Sequence, residues 1–261
     1  MEAFEFDSDC SVHSFDQPRP VPTYLIALAA GALEHRAITD TVGVWAEPGV
    51  VEAARREFDA APHFLSEAED LLGPYVWGRY DVLVMPPSFP YGGMENPCLT
   101  FATPTLLAGD GSLADLVAHE IMHSWSGNGF TCAAWEDFWL NEGFTMMGQR
   151  KVVAAVRAKY THPDSIIKGD AFFAFDSFDG ASRLSEELDV LESRGHAKYT
   201  KLVPDMTGVD PDDSFSCVPY EKGYHFLCFL QEQLGGPGRF DPWLKAFTQA
   251  HMGKSITRFD F

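Results

Sequence analysis

The segment Val117-Ala118-His119-Glu120-Ile121-Met122-His123 constrains this chain more than any other. On a helix, residues four apart share a face, so His119 and His123 can present both imidazoles to one metal ion. Glu120 lies about 100° around the helix from His119, placed to reach a water at that metal without being a ligand. Leu113, Leu116, Val117, Ile121 and Trp125 supply an apolar face, and Ser112 offers a cap, so a helix is predicted from Ser112 to about Trp125. The pattern also arises by chance in unrelated chains, so its context decides what it means.

The context supplies a third ligand. With eighteen residues between it and His123, Glu142 stands in Trp139-Leu140-Asn141-Glu142-Gly143, early in a second predicted helix from Trp135 to about Lys159. The connection Ser126–Ala134 is long enough to reverse the chain and set Glu142 beside the two histidines. Two His and one Glu leave the fourth position of a zinc ion open for water, as a catalytic site requires. One Zn2+ per chain is expected at His119, His123 and Glu142. Zinc lowers the pKa of bound water toward ~7 and polarises a carbonyl. Glu120 can take that water's proton and pass it to a leaving amine, which makes it the expected general base.

The rest of the chain reads as an α+β protein, with strands early and helices late. Residues 1–20 are polar and read as a frayed leader. Val21–Leu33 is an apolar run expected as a buried strand. Strands are expected at Thr41–Ala46, Tyr80–Met85 and Leu99–Ala102, and one helix across Val50–Leu72. Residues 160–215 suggest two short helices, and Glu221–Leu234 a strong one ended by Gly235-Gly236-Pro237.

Lys plus Arg is 19 against 38 Asp plus Glu, a net charge of −19. That balance argues against nucleic acid or an anionic membrane surface as a partner. The longest apolar stretch is shorter than the ~20 residues a bilayer span needs. The five cysteines, Cys10, Cys98, Cys132, Cys217 and Cys228, are odd in number and widely spaced. They read as reduced thiols, and with no basic leader segment the expected compartment is the cytosol.

Two further motifs bear on the substrate. In Tyr91-Gly92-Gly93-Met94-Glu95-Asn96 the glycines allow close approach of a backbone, and Glu95 can pair with a substrate ammonium. On the residues alone, a turn with an exposed carboxylate is the preferred reading. In Pro219-Tyr220-Glu221-Lys222-Gly223, a tyrosine at a helix start can donate to an oxyanion, although a packed aromatic explains it as well.

Taken together, Gly-Gly-Met-Glu-Asn, His-Glu-x-x-His, Asn-Glu-Gly and Pro-Tyr-Glu-Lys-Gly resemble the M1 family of zinc aminopeptidases. Pro86–Phe101 and Phe138–Gly143 resemble the subgroup of leukotriene A(4) hydrolase and aminopeptidase B. The resemblance implies a thermolysin-like zinc metallopeptidase catalytic domain, a small mixed sheet followed by helices, over residues 34–261. Residues 1–33 would be a leader and the remnant of an N-terminal β domain, and the family's C-terminal helical domain would be absent. It further implies that Glu95 grips a free α-amino group, that Gly92, Gly93 and Met94 line the substrate, and that Tyr220 steadies the tetrahedral intermediate.

The implied activity is removal of N-terminal residues from short peptides with a free N-terminus, in company with the missing family domains. Two alternatives stay open: a bifunctional or lipid-epoxide hydrolase, and a truncated peptide-binding fragment without catalysis. Asp212 matches an aspartate that the subgroup uses on epoxides, whereas Phe215 replaces its second tyrosine. Gln149 stands where relatives often carry a glutamate behind the zinc ligands.

Overall fold

A computed structural model describes residues 3–6, 10–161 and 169–261. Its centre is a five-stranded mixed sheet of β3 (Glu34–Ala37), β4 (Val42–Ala46), β5 (Tyr80–Val84), β6 (Gly93–Met94) and β7 (Leu99–Ala102), in the spatial order β3-β4-β5-β7-β6. β4, β5 and β7 run parallel, while β3 and β6 pair antiparallel at the two edges. The parallel strands are Val- and Leu-rich and buried along almost their whole length, as parallel strands covered on both faces must be. β6 is only two residues long and is paired on one side, through Gly93↔Ala102 and Met94↔Phe101.

Among the described residues seven α-helices follow one another: α1 (Val51–Glu57), α2 (Ala61–Leu72), α3 (Asp115–Met122), α4 (Trp139–Val156), α5 (Gly169–Ser193), α6 (Val218–Gln233) and α7 (Pro237–His251). Nearly every residue of α4 is buried, because α2, α3, α5, α6 and the short strand β8 (Phe130–Cys132) all pack on it. β8 pairs in parallel with β9 (Lys254–Ile256) and brings the end of the chain back to α4. There Phe144, Phe247 and Phe261 join Trp139 and Trp243 in one aromatic cluster.

Several sequence expectations are corrected. Val21–Leu33 is not a strand. It holds one 3-10 turn, Thr23–Leu25, with Ile26 and Leu28 exposed. Within residues 1–20, expected as a frayed segment, β1 (Ala3–Phe6) pairs antiparallel with β2 (Cys10–His13). The Val50–Leu72 helix breaks at Phe58, since Pro62 in the first turn of α2 has no N–H and cannot continue α1. Ser112 does not cap α3. Its N–H is taken by Asp110, and the helix begins at Asp115 without a side-chain cap. A 3-10 turn at Trp135–Asp137 precedes α4.

Among the described residues of 160–215, expected as two short helices, there is one long helix, α5, of 25 residues, followed by short 3-10 turns at Ala197–Thr200 and Pro211–Ser214, while residues 162–168 lie outside the described residues. Pro237, read as a stop, also opens α7, where its missing N–H costs nothing. Among the described residues no helix is long and apolar enough to cross a membrane.

Candidate metal centre

α3 and α4 set three ligand atoms together. His119 Nε2 and His123 Nε2 stand 3.1 Å apart, and each lies 3.4 Å from Glu142 Oε2. Three atoms bound at 2.0–2.1 Å in a tetrahedron stand ~3.3–3.4 Å from one another, so the spacing fits a zinc ion.

The proton positions agree. His119 Nδ1 faces Gln149 Oε1 at 2.9 Å, and His123 Nδ1 faces the Ser126 carbonyl at 2.8 Å. Each Nδ1 therefore donates, and both Nε2 lone pairs point at each other and at a carboxylate oxygen. Glu142 Oε2 is buried without a hydrogen-bond donor. Three converging acceptors with no donor among them call for a cation.

The surroundings are anionic. Glu95 and Glu120 also approach His123, and all three are buried. Burial pushes the Glu120 carboxyl well above its usual range, with Glu95 and Glu142 adding to the rise against the pull of His123. Burial opposes the charge on Glu142 as well, yet His123 and then His119 hold it ionised below the ordinary value. Burial would lower the pKa of His123, but Glu95, Glu142 and Glu120 outweigh it and raise it. A dication would relieve this crowding of carboxylates.

β6 lies directly over Glu120. A Cβ on Gly93 would sit 2.2 Å from Glu120 Oε1, so only glycine lets the strand pass. Gly92 and Met94 flank it on the sheet edge, and Gly92 accepts a hydrogen bond from Thr103 N–H. Glu95 is buried, not exposed as the plain reading of its turn had it. Its backbone carbonyl is held by Asn128 Nδ2 at 2.7 Å. Tyr220, in the first turn of α6, stacks on His119 at 6.0 Å, with Phe138 and Phe215 edge-on around it. Burial, followed by Glu142, Glu95 and Glu120, pushes its phenol far up, so it remains a donor.

The structure thus brings together His119, His123, Glu142, Glu120, Glu95 and Tyr220, with Gly93 against Glu120 and Gly92 and Met94 next to it in the chain. Asp212 stands in an exposed 3-10 turn, Pro211–Ser214, and its carbonyl accepts from the N–H of Phe215, which packs edge-on against Tyr220.

Three supporting roles were missed, those of Thr145, Asn128 and Asn141. The Thr145 hydroxyl donates to the Ser126 carbonyl at 3.0 Å and lies 3.2 Å from His123 Nδ1. Asn128 fixes Glu95, as above. Asn141 accepts from Cys132 N–H and donates to the Tyr24 hydroxyl, tying the start of α4 to β8 and to the Thr23–Leu25 turn. Thr145 carried a sequence signal in falling three residues after Glu142 on the same helix face, and Asn141 in standing within the Asn-Glu-Gly motif.

Comparison with known proteins agrees with this geometry. The family model of the peptidase family M1 domain matches residues 56–261. Leukotriene A-4 hydrolase of Xenopus laevis is 46% identical over 251 residues, 96% of this chain and 39% of that protein. Aminopeptidase B of Rattus norvegicus is 47% identical over 250 residues, 95% of this chain and 36% of that protein. The chain therefore spans about two fifths of the length of these relatives. The solved leukotriene A4 hydrolase of Saccharomyces cerevisiae superposes with a TM-score of 0.85 at 39% identity, over 95% of this chain and 38% of that one. An M1 zinc metallopeptidase from Deinococcus radiodurans shares the fold, with a TM-score of 0.73 at 21% identity over 100% of this chain and 54% of that one. With both the metal-site geometry and the sequence match in agreement, the chain belongs to peptidase family M1.

Proposed function

We propose that this chain is the catalytic unit of a zinc aminopeptidase that hydrolyses the N-terminal peptide bond of short peptides. The observation that carries the reading is the convergence of His119 Nε2, His123 Nε2 and Glu142 Oε2 beside the buried carboxylates of Glu120 and Glu95. These three residues would hold one zinc ion, which when bound supplies a Lewis acid for the scissile carbonyl and an acidified water.

The chain's own residues do the rest. Glu95 pairs with the substrate's free ammonium and, being fixed close to the metal ligands, selects the first peptide bond. Gly92, Gly93 and Met94 offer the open edge of β6 to an extended peptide backbone. Glu120 takes the proton from the attacking water as the new C–O bond forms. It returns that proton to the amine nitrogen as the C–N bond breaks. The Tyr220 hydroxyl donates to the carbonyl oxygen as negative charge builds there.

Residues 34–261 contain every one of these groups, which supports taking them as the catalytic unit. The cytosol suits the described cysteines Cys98, Cys132, Cys217 and Cys228, which are all free thiols. For a lipid epoxide, Phe215 offers no hydroxyl, so the peptide reading is preferred.

Hydrolysis of amino-acid arylamides against N-acetylated counterparts tests the proposal. Turnover of the free-amine substrates alone supports it. Equal turnover of both would make the chain an endopeptidase-like hydrolase and remove Glu95 from its role.

A further inference from the structure

Arg150 on α4 and Glu221 on α6 form a buried ion pair, with Arg183 Nη2 of α5 standing further off, 3.5 Å from Glu221 Oε1. Arg150 Nη1 donates to Glu221 Oε2 and Arg150 Nη2 to Glu221 Oε1, both at 2.9 Å, with side chains 2% and 3% exposed. The guanidinium also lies 4.1 Å over the Tyr224 ring. α5 closes the third side. A Cβ on Gly180 would stand 2.2 Å from Glu221 Oε2 and 2.4 Å from Arg150 Nη2, so the helix backbone rests on the pair itself.

A buried ion pair is a poor device for stability alone, because desolvation offsets the attraction and an apolar pair of similar volume does as well. What a bidentate pair adds is direction: two parallel N–H···O bonds fix both distance and orientation. Here that direction falls on catalytic groups. Glu221 follows Tyr220 in the first turn of α6. Arg150 follows Gln149, which bonds His119, and lies two turns from Glu142 on α4.

We propose that Arg150 and Glu221 are positioning residues for Tyr220: their fork registers the first turn of α6 on the metal-ligand helix and so sets where the phenol stands relative to the metal. The inference rests on the proposed role of Tyr220. It adds that this role depends on a clamp the substrate never touches, with α5 as the clamp's cover.

The test uses the whole chain. Arg150→Lys keeps the charge and removes the fork. It is compared with wild type, and again in a Tyr220→Phe background, for kcat, KM, zinc content and thermal midpoint on an amino-acid arylamide. The expected result is a kcat lower by about 10- to 100-fold, the cost of a misplaced group of about 1 Å, with KM and zinc retained. In the Tyr220→Phe background the same substitution should cost no further kcat. Equal losses in both backgrounds, or a lowered thermal midpoint with unchanged kcat, would overturn the proposal.

If Arg150→Lys does not fold, Glu221→Gln, which keeps one acceptor, is measured in the same way. A second readout needs no turnover: 3-fluorotyrosine at position 220, followed by fluorine NMR, should shift in the clamp variants. An unmoved signal overturns the clamp. A moved signal in a protein with no peptidase activity would leave the clamp standing and overturn the aminopeptidase reading instead.

Discussion

Glu120 has no ligand to replace it and no spare partner. Its Oε2 is buried and unbonded, and Gly93 leaves room for its other oxygen. Glu120→Gln should keep zinc at the wild-type level and lower kcat by about 10²–10⁴-fold, as measured by metal analysis and arylamide turnover. Glu95→Gln should remove the ammonium's partner and lower kcat/KM by about 10- to 100-fold for free-amine substrates, with little change for N-blocked ones. Gln149 gives His119 a neutral acceptor, and a carboxylate there would make the imidazole a stronger ligand. Gln149→Glu should therefore tighten zinc by about tenfold or more in chelator competition. Against the burial that would lower it, Glu95, Glu142 and Glu120 hold the His123 pKa above the ordinary imidazole value, so zinc must compete with a proton there and its affinity should fall as pH falls, as chelator competition across pH would read.

At the scale of elements, the site depends on how closely α4 and α6 approach. Gly143 and Gly223 face each other across the crossing, and a Cβ on either would lie 2.8–2.9 Å from the other's Cα. Gly143→Ala or Gly223→Ala should destabilise the fold by about 1–3 kcal/mol, read as a lowered denaturation midpoint. The two helices were legible in the sequence because the pattern of Glu142 and Tyr220 lies within single turns. α5 was not. Its Phe, Asp, Ser and Gly residues are interleaved around the helix with weak amphipathicity, since it covers α4 and α6 on one side and leaves Phe175 and Phe178 exposed on the other. The Val21–Leu33 segment failed for the opposite reason. It is apolar in sequence, yet Ile26 and Leu28 face solvent, so hydrophobicity here does not report burial.

For the whole molecule, the parallel strands β4, β5 and β7, the helices α3, α4 and α6, and the expected approach of His119, His123 and Glu142 follow from signals of a few residues each, which is why they could be read without a structure. The supports could not. Ser126 with Thr145, Asn128 with Glu95, and Arg150 with Glu221 are 19, 33 and 71 positions apart, and only the packed chain brings them together. Tyr24 adds a contact over 117 positions, from the Thr23–Leu25 turn to Asn141 beside Glu142. The central claim is that this one unit holds zinc and uses Glu120 to hydrolyse an N-terminal amide bond. The most direct measurement is zinc content together with arylamide turnover for residues 1–261 and for Glu120→Gln. The account predicts zinc near one per chain in both proteins, with turnover in the first and nearly none in the second. A chain that binds no zinc, or a Glu120→Gln variant as active as the parent, would contradict it.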